Sequence, residues 1–293
     1  MHANIPDDLA NAVRQIRSAS ASAHQPPPTH QNEVFQVPSR DPNRTIKIHV
    51  YRPPNPISPS PVLLNFHGSG FIIPMHGSDD AYALHIAQET PYTVLDVQYR
   101  LAPEDPFPAA PNDAEDVLKW VLSRPEEFDA ERVSVSGFSA GGNLALGLAG
   151  HTFPPGIFRH VLVMYPPIDL YTTPGEKIAP DTSGNPIPAE IAEVFNACYA
   201  PSPPLDRKNP LISPGFIPGE KFPDNVLVIT CALDTLCVEA EGLAEKLKAA
   251  GKRVVQRRME RCDHGWDKDV KPGTVQEKAK IEAYDLAVEM LKT

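Results

Sequence analysis

Gly137-Phe138-Ser139-Ala140-Gly141 places a serine between two glycines at the spacing of a tight strand-to-helix turn. Glycine is needed at 137 and 141 because side chains there would collide as the strand and helix close on each other. The flanks agree. Arg132–Ser136 reads as a short strand, and Ala140 to Gly150 is a run of small and apolar residues suited to a packed helix. Gly142 adds a further position for close packing. A serine held on such a turn is an exposed nucleophile, and the helix N-terminus behind it favours the negative charge that develops there.

A serine hydroxyl at its ordinary pKa needs a base, and the base needs an acid to orient it. For a nucleophile on this kind of turn the chain order is serine, then acid, then histidine, each after a strand end. Of ten histidines, His264 is the one downstream of both Ser139 and any candidate acid. It sits in the polar loop Cys262-Asp263-His264-Gly265-Trp266, a few residues past the strand Arg253–Arg257. Asp234, four residues past the strand Val226–Thr230 and ahead of a helix, is the preferred acid. Its competitors are Asp263, adjacent to the histidine, and Asp224, which precedes the strand. The remaining need is a set of donors for an oxyanion. His67-Gly68-Ser69-Gly70 follows the first parallel strand, Val62–Phe66, and the amides of Ser69 and Gly70 can converge with that of Ala140. His67 and Gly68 are expected to support this loop.

The elements that must position these residues are legible as periodicity. Glu33–Val37 and Thr45–Tyr51 are β-like, the second with Ile46, Ile48 and Val50 alternating inward. Short apolar runs follow at Val62–Phe66, Thr93–Val97, Arg132–Ser136, His160–Tyr165, Val226–Thr230 and Arg253–Arg257. Helical patterns are predicted at 8–18, 78–90, 109–124, 140–150, 188–199, 238–250 and 275–291. Strands alternating with helices imply an α/β fold with a mostly parallel sheet covered on both faces and a site at the strands' carboxyl ends. Residues 170–224 break the alternation. Proline-rich and lying between two sheet strands, they are expected to form a lid over the site. Residues 19–32 read as a polar, proline-broken connector.

Composition narrows the partners. A net charge of −10 disfavours nucleic acid and anionic membranes. No run of about 18 apolar residues predicts a membrane span. Met1 to Ser20 lacks an apolar core, so no secretory signal and a cytoplasmic location are expected. Cys198, Cys231, Cys237 and Cys262 form no C-x-x-C pair and have no histidine cluster at metal spacing beside them, so free thiols and no metal are expected. The sequence carries no signal for an oligomeric state.

Taken together, the residues resemble the hormone-sensitive-lipase family of esterases, the bacterial family IV type. The match comprises H-G-S-G at 67–70, Tyr99-Arg100-Leu101-Ala102-Pro103-Glu104 running on to Pro106-Phe107-Pro108-Ala109-Ala110, and S-A-G-G at 139–142. It continues to Asp234 with Leu236 and Glu239, and to His264-Gly265, covering about 45–290. The resemblance implies an α/β-hydrolase fold with an eight-stranded sheet, no cofactor, and short- or medium-chain esters as substrates. It also implies a cap built from an N-terminal segment, 1–45, and an insertion at about 170–205 in a hydrolase domain of 46–293. The Y-R-L-A-P-E run would lie behind the site and brace its loops. Two departures stand out. Ser69 replaces the second glycine of the family's H-G-G-G, and Phe138 replaces the acidic residue usual before the nucleophile.

The expected activity is therefore hydrolysis of a small-molecule ester through Ser139, His264 and Asp234. Amide or formamide cleavage and acyl transfer share the same acyl-enzyme and are its catalytic alternatives. A ligand-binding receptor on a hydrolase scaffold is the alternative from another class. Phe195, Tyr199, Phe216, Tyr171 and Ile191 are candidate pocket residues.

Overall fold

The structure, a computed structural model, describes residues 6–23 and 29–293. Residues 24–28 of the predicted connector lie outside the described residues. Eight strands form one sheet: β1 (Glu33–Pro38), β2 (Thr45–Tyr51), β3 (Ser60–Phe66), β4 (Thr93–Val97), β5 (Phe128–Phe138), β6 (Phe158–Met164), β7 (Asn225–Cys231) and β8 (Arg253–Met259). Their order is β1-β2-β4-β3-β5-β6-β7-β8, antiparallel at β1–β2 and β2–β4 and parallel throughout the rest. The central strands are apolar runs buried along most of their length, as a sheet covered on both faces requires.

Among the described residues seven α-helices accompany it: α1 (Asp7–Ala23), α2 (Asp80–Glu89), α3 (Ala109–Leu122), α4 (Ala140–Gly147), α5 (Ala189–Tyr199), α6 (Cys237–Ala249) and α7 (Val275–Leu291). Two cores result. On one face Leu144 and Val117 of the helices meet Leu64, Val135 and Val228 of the strands. On the other, Tyr82, Ile86, Ala283 and Ala287 cover Leu63, Val94, Leu162 and Leu227.

The predicted elements all occur; β5 begins at Phe128, four residues before the expected Arg132, and three further differences stand out. Helix α1 runs five residues past its predicted end, through an alternation of Ser and Ala that leaves the helix uncrowded; Ser22 Oγ donates back to the Ser18 carbonyl at 2.9 Å. Helix α4 ends at Gly147 and passes into a wider π turn over Leu148–Thr152, where Gly150 lies against the Phe222 ring. Glu33–Pro38, read as part of a cap segment 1–45, is instead the edge strand of the sheet. Its Val37 packs into the main core and its whole length pairs with β2. Within 1–45, α1 is the described element that lies over the strand ends.

Candidate active site

Strand β5 delivers Ser139 to the carboxyl edge of the sheet. The turn is tight enough that a Cβ on Gly141 would stand 1.9 Å from the Phe66 carbonyl oxygen, and one on Gly137 would stand 2.2 Å from the Gly141 oxygen. Ser139 itself is held at φ 48° and ψ −121°, a left-handed backbone that a non-glycine residue adopts at a cost of about 1–3 kcal/mol. The Ser139 amide donates to the Met164 carbonyl at 2.9 Å, and the Asn143 amide donates to the Ser139 carbonyl at 3.1 Å. These bonds fix the strained residue from both neighbouring elements.

Asp234 and His264 leave β7 and β8, which are hydrogen-bonded neighbours, so their loops emerge side by side. The Ala232 amide donates to Met259 and the Leu233 amide to Cys262, tying one loop to the other. Across that junction His264 Nδ1 lies 2.7 Å from Asp234 Oδ2, and His264 Nε2 lies 2.8 Å from Ser139 Oγ. The Asp234 carboxylate is fully buried, and its other oxygen accepts the Leu236 amide at 3.1 Å. The competing acids are engaged elsewhere. Asp263 Oδ1 accepts the Asn185 amide at 2.7 Å, and Asp224 pairs with Lys252 at 2.9 Å.

The loop after β3 runs beside this trio, with the Cβ position of Gly68 3.5 Å from Ser139 Cβ. Gly70 has φ +54° and carries the Phe195 ring so close that a Cβ there would stand 2.7 Å from it. Among the described residues, the Ser69 and Gly70 amides donate to no protein group. The Ala140 amide opens α4, where no intrahelical acceptor exists. Ser69 does not sit at positive φ, so glycine's freedom is not required there. Its hydroxyl is used instead: it bonds the Tyr99 hydroxyl at 2.7 Å and accepts the Phe71 amide at 2.9 Å. Tyr99 also donates to the His67 carbonyl at 2.6 Å and stacks on the His67 ring, 4.4 Å between centroids. The Y-R-L-A-P-E run thus braces this loop. Burial pushes the His67 imidazole down to about 3, so it is neutral near pH 7.

A cavity of about 580 Å³ opens above Ser139 and His264. Its wall is mainly apolar and is shared by α1 (Ile16, Ala19), α5 (Ile191, Phe195) and residues 186–188 of the inserted stretch. Arg17 anchors α1 there, forking onto Glu104 and donating to the Ala102 and Ile72 carbonyls. Of the candidate pocket residues, Ile191 and Phe195 line the cavity. Tyr199 is buried against Phe71, and Tyr171 and Phe216 face each other on the surface.

Sequence reasoning missed the charges behind the histidine. Lys268 Nζ lies 2.7 Å from Asp79 and 2.8 Å from Asp267, and 3.5 Å above the Phe138 ring. Asp267 also accepts the hydroxyls of Tyr165 at 2.6 Å and Tyr284 at 2.9 Å, and the Tyr165 ring meets the His264 ring edge-on at 4.8 Å. Burial works to raise the Asp267 carboxyl, but Lys268 and the two hydroxyls outweigh it and hold it below the usual range. Phe138, standing where the family has an acid, gives Lys268 a π face. Nothing in the spacing of residues 79, 165 and 267 announces this cluster.

The family profile for the alpha/beta hydrolase fold matches residues 63–268. The chain belongs to that family. Its hormone-sensitive-lipase-like character, drawn from the motifs, agrees with the relatives. It is 31% identical to the ethyl acetate hydrolase of Pseudomonas putida over 226 residues, 74% of this chain and 70% of that protein. It is 30% identical to the carboxylesterase NlhH of Mycobacterium tuberculosis over 234 residues, 75% of this chain and 71% of the other. In structure it resembles the esterase of Pyrobaculum calidifontis, with a TM-score of 0.81 at 27% identity and 98% of both chains covered. Ser139, Asp234 and His264 lie at the carboxyl ends of the strands, the edge at which open α/β sheets bind their ligands. Among the described residues no helix is long and apolar enough to cross a membrane.

Proposed function

We propose that this chain cleaves small- to medium-acyl esters with Ser139 as nucleophile, His264 as general base and Asp234 as its orienting acid. The enzyme is a carboxylesterase. The observation that carries the mechanism is the continuous relay from Ser139 Oγ to His264 Nε2 at 2.8 Å and from His264 Nδ1 to Asp234 Oδ2 at 2.7 Å.

In this reading His264 takes the Ser139 proton as Oγ attacks the ester carbonyl, and Asp234 steadies the resulting imidazolium. The amides of Ser69, Gly70 and Ala140 hold the oxyanion, at a benefit of about 10²–10³ in rate per donor. His264 returns the proton to the leaving alcohol, and water then hydrolyses the acyl-enzyme by the same route. The apolar cavity under α1 and α5, which we take as a cap over the site, receives the acyl or alcohol part.

The test is turnover of p-nitrophenyl butyrate together with labelling by a fluorophosphonate. Ser139→Ala is expected to lower kcat about 10⁴-fold or more and to abolish the label. Activity within tenfold of the parent would reject Ser139 as nucleophile.

A further inference from the structure

Behind the loop that carries Ser69 and Gly70, three side chains with no part in the proposed chemistry converge. His49 on β2 and Asp96 on β4 face each other in the antiparallel register and so project from the same side of the sheet. His76, on the segment between β3 and α2, folds over them. One donor atom from each lies within 4.8 Å of the other two. His76 Nε2 is 3.3 Å from Asp96 Oδ2, and the two imidazole rings stand 4.1 Å apart at 40°.

Protein groups leave this cluster incompletely satisfied. His49 Nδ1 and Asp96 Oδ2 are both buried with no hydrogen-bond partner among the described residues. His49 is 5% exposed and Asp96 fully buried, so bulk water does not substitute. A buried polar atom without a partner is destabilising, and two at one spot point to a shared missing partner. The other Asp96 oxygen is already fixed by the Asn65 side chain at 2.9 Å, and Asn65 is held in turn by Ser136 at 2.8 Å. That is the outer support a ligating carboxylate usually has. Burial pushes His49 and His76 down to about 4, leaving both rings neutral near pH 7 with a lone pair to offer. His76 Nε2 also donates to the Asp96 backbone carbonyl at 3.0 Å, a bond that an ion at this edge would displace as the imidazole proton moves to Nδ1.

The geometry points to a site for one divalent transition-metal ion, zinc foremost, held by His49, His76 and Asp96. Two imidazoles and a carboxylate favour zinc or cobalt over magnesium and calcium, which prefer all-oxygen sets. With metal–donor bonds of about 2.0–2.2 Å, tetrahedral donors stand roughly 3.3–3.5 Å apart. The His76–Asp96 edge already measures 3.3 Å, and all three donors lie within 4.8 Å of one another, so the His49 edges need to close by no more than about 1.5 Å. Lys47 and Lys268 are the nearby charges that oppose a cation; Asp80 favours one, as does Asp79, which is itself paired with Lys268. The bound ion would pin the segment leading from Gly70 to α2 onto β2 and β4, supporting the loop from behind with no place in the reaction.

The test uses the full chain, stripped with a chelator and then dialysed against micromolar Zn²⁺ or Co²⁺. Bound metal is counted by plasma mass spectrometry, melting is followed by circular dichroism, and Co²⁺ is also read by its visible ligand-field bands. One ion per chain is expected, with a rise in Tm of about 5 °C at a hundredfold excess over Kd. His49→Gln and Asp96→Asn should each lose the ion and the shift, with His76→Gln as the replacement if either fails to fold. His264→Gln should keep both, which separates this site from an ion sitting on the proposed triad. A parent protein that binds no ion overturns the proposal and leaves water as the missing partner. Binding that survives His49→Gln and Asp96→Asn overturns it equally.

Discussion

Replacing Lys268 by Met tests whether the buried charges behind His264 matter as a set. In the parent, one ammonium serves two carboxylates, Asp79 and Asp267, that are essentially inaccessible to solvent. Met keeps the length and the contact with Phe138 but strands both carboxylates. Removing one partner of a buried pair costs about 3–5 kcal/mol, because the remaining charge has neither water nor a counterion. For a chain of this size that corresponds to a fall in Tm of roughly 6–10 °C. The loss should depend on pH. Without Lys268, burial raises the folded-state pKa of both carboxyls above their unfolded values. Stability is then greatest below the unfolded pKa, near 4, and declines as pH rises through the raised folded pKa. The deficit relative to the parent should therefore be larger at pH 8 than at pH 5. Adding Asp79→Asn and Asp267→Asn to Lys268→Met should restore most of the lost stability, since a neutral buried set carries little desolvation cost. Urea denaturation of the parent, single and triple variants at both pH values gives the answer. A pH-independent loss below about 1 kcal/mol, or a triple variant no better than Lys268→Met, refutes the reasoning.

Gly141→Ala should yield little folded protein, because its methyl would stand 1.9 Å from the Phe66 oxygen; soluble expression and far-UV circular dichroism check this. Phe195→Ala removes the ring lying on Gly70 and widens the cavity, so kcat/KM for octanoyl relative to acetyl p-nitrophenyl esters should rise about tenfold. The four cysteines are buried, and burial raises their thiols, to about 11 at Cys198 and Cys237 and to about 12 at Cys262. Native protein should therefore be nearly inert to a thiol reagent such as Ellman's at pH 8 and release four equivalents in denaturant; rapid native reaction at any of them would contradict the packing.

Much of this molecule was readable along the chain. Local rules carried the strands: apolar runs of strand length between turn residues, such as Val62–Phe66 and Thr93–Val97, occur where periodicity put them. The glycines at 137 and 141 marked the strained turn because only close backbone approach demands them. Chain order then singled out His264 and Asp234 for the positions where the structure brings them together. Glu33–Val37 was readable as a strand, but its place at the edge of the sheet rather than in the cap segment 1–45 was not, because its pairing with β2 is a tertiary fact.

The sequence by itself determined which side chains could react and which segments would be strand or helix, since both follow from residue type and short-range spacing. Tertiary structure alone decided what lies next to what. The 2.8 Å contact between Ser139 and His264 joins residues 125 positions apart. The roof of the cavity is made by α1 and α5, which are distant in the chain. Lys268 meets Asp79, and His49 meets His76 and Asp96, only because the sheet order sets β4 between β2 and β3 and lays α2 and the His264 loop over the same face. Buried polar clusters of this kind have no period and no fixed spacing. Their existence is settled by which atoms water can no longer reach.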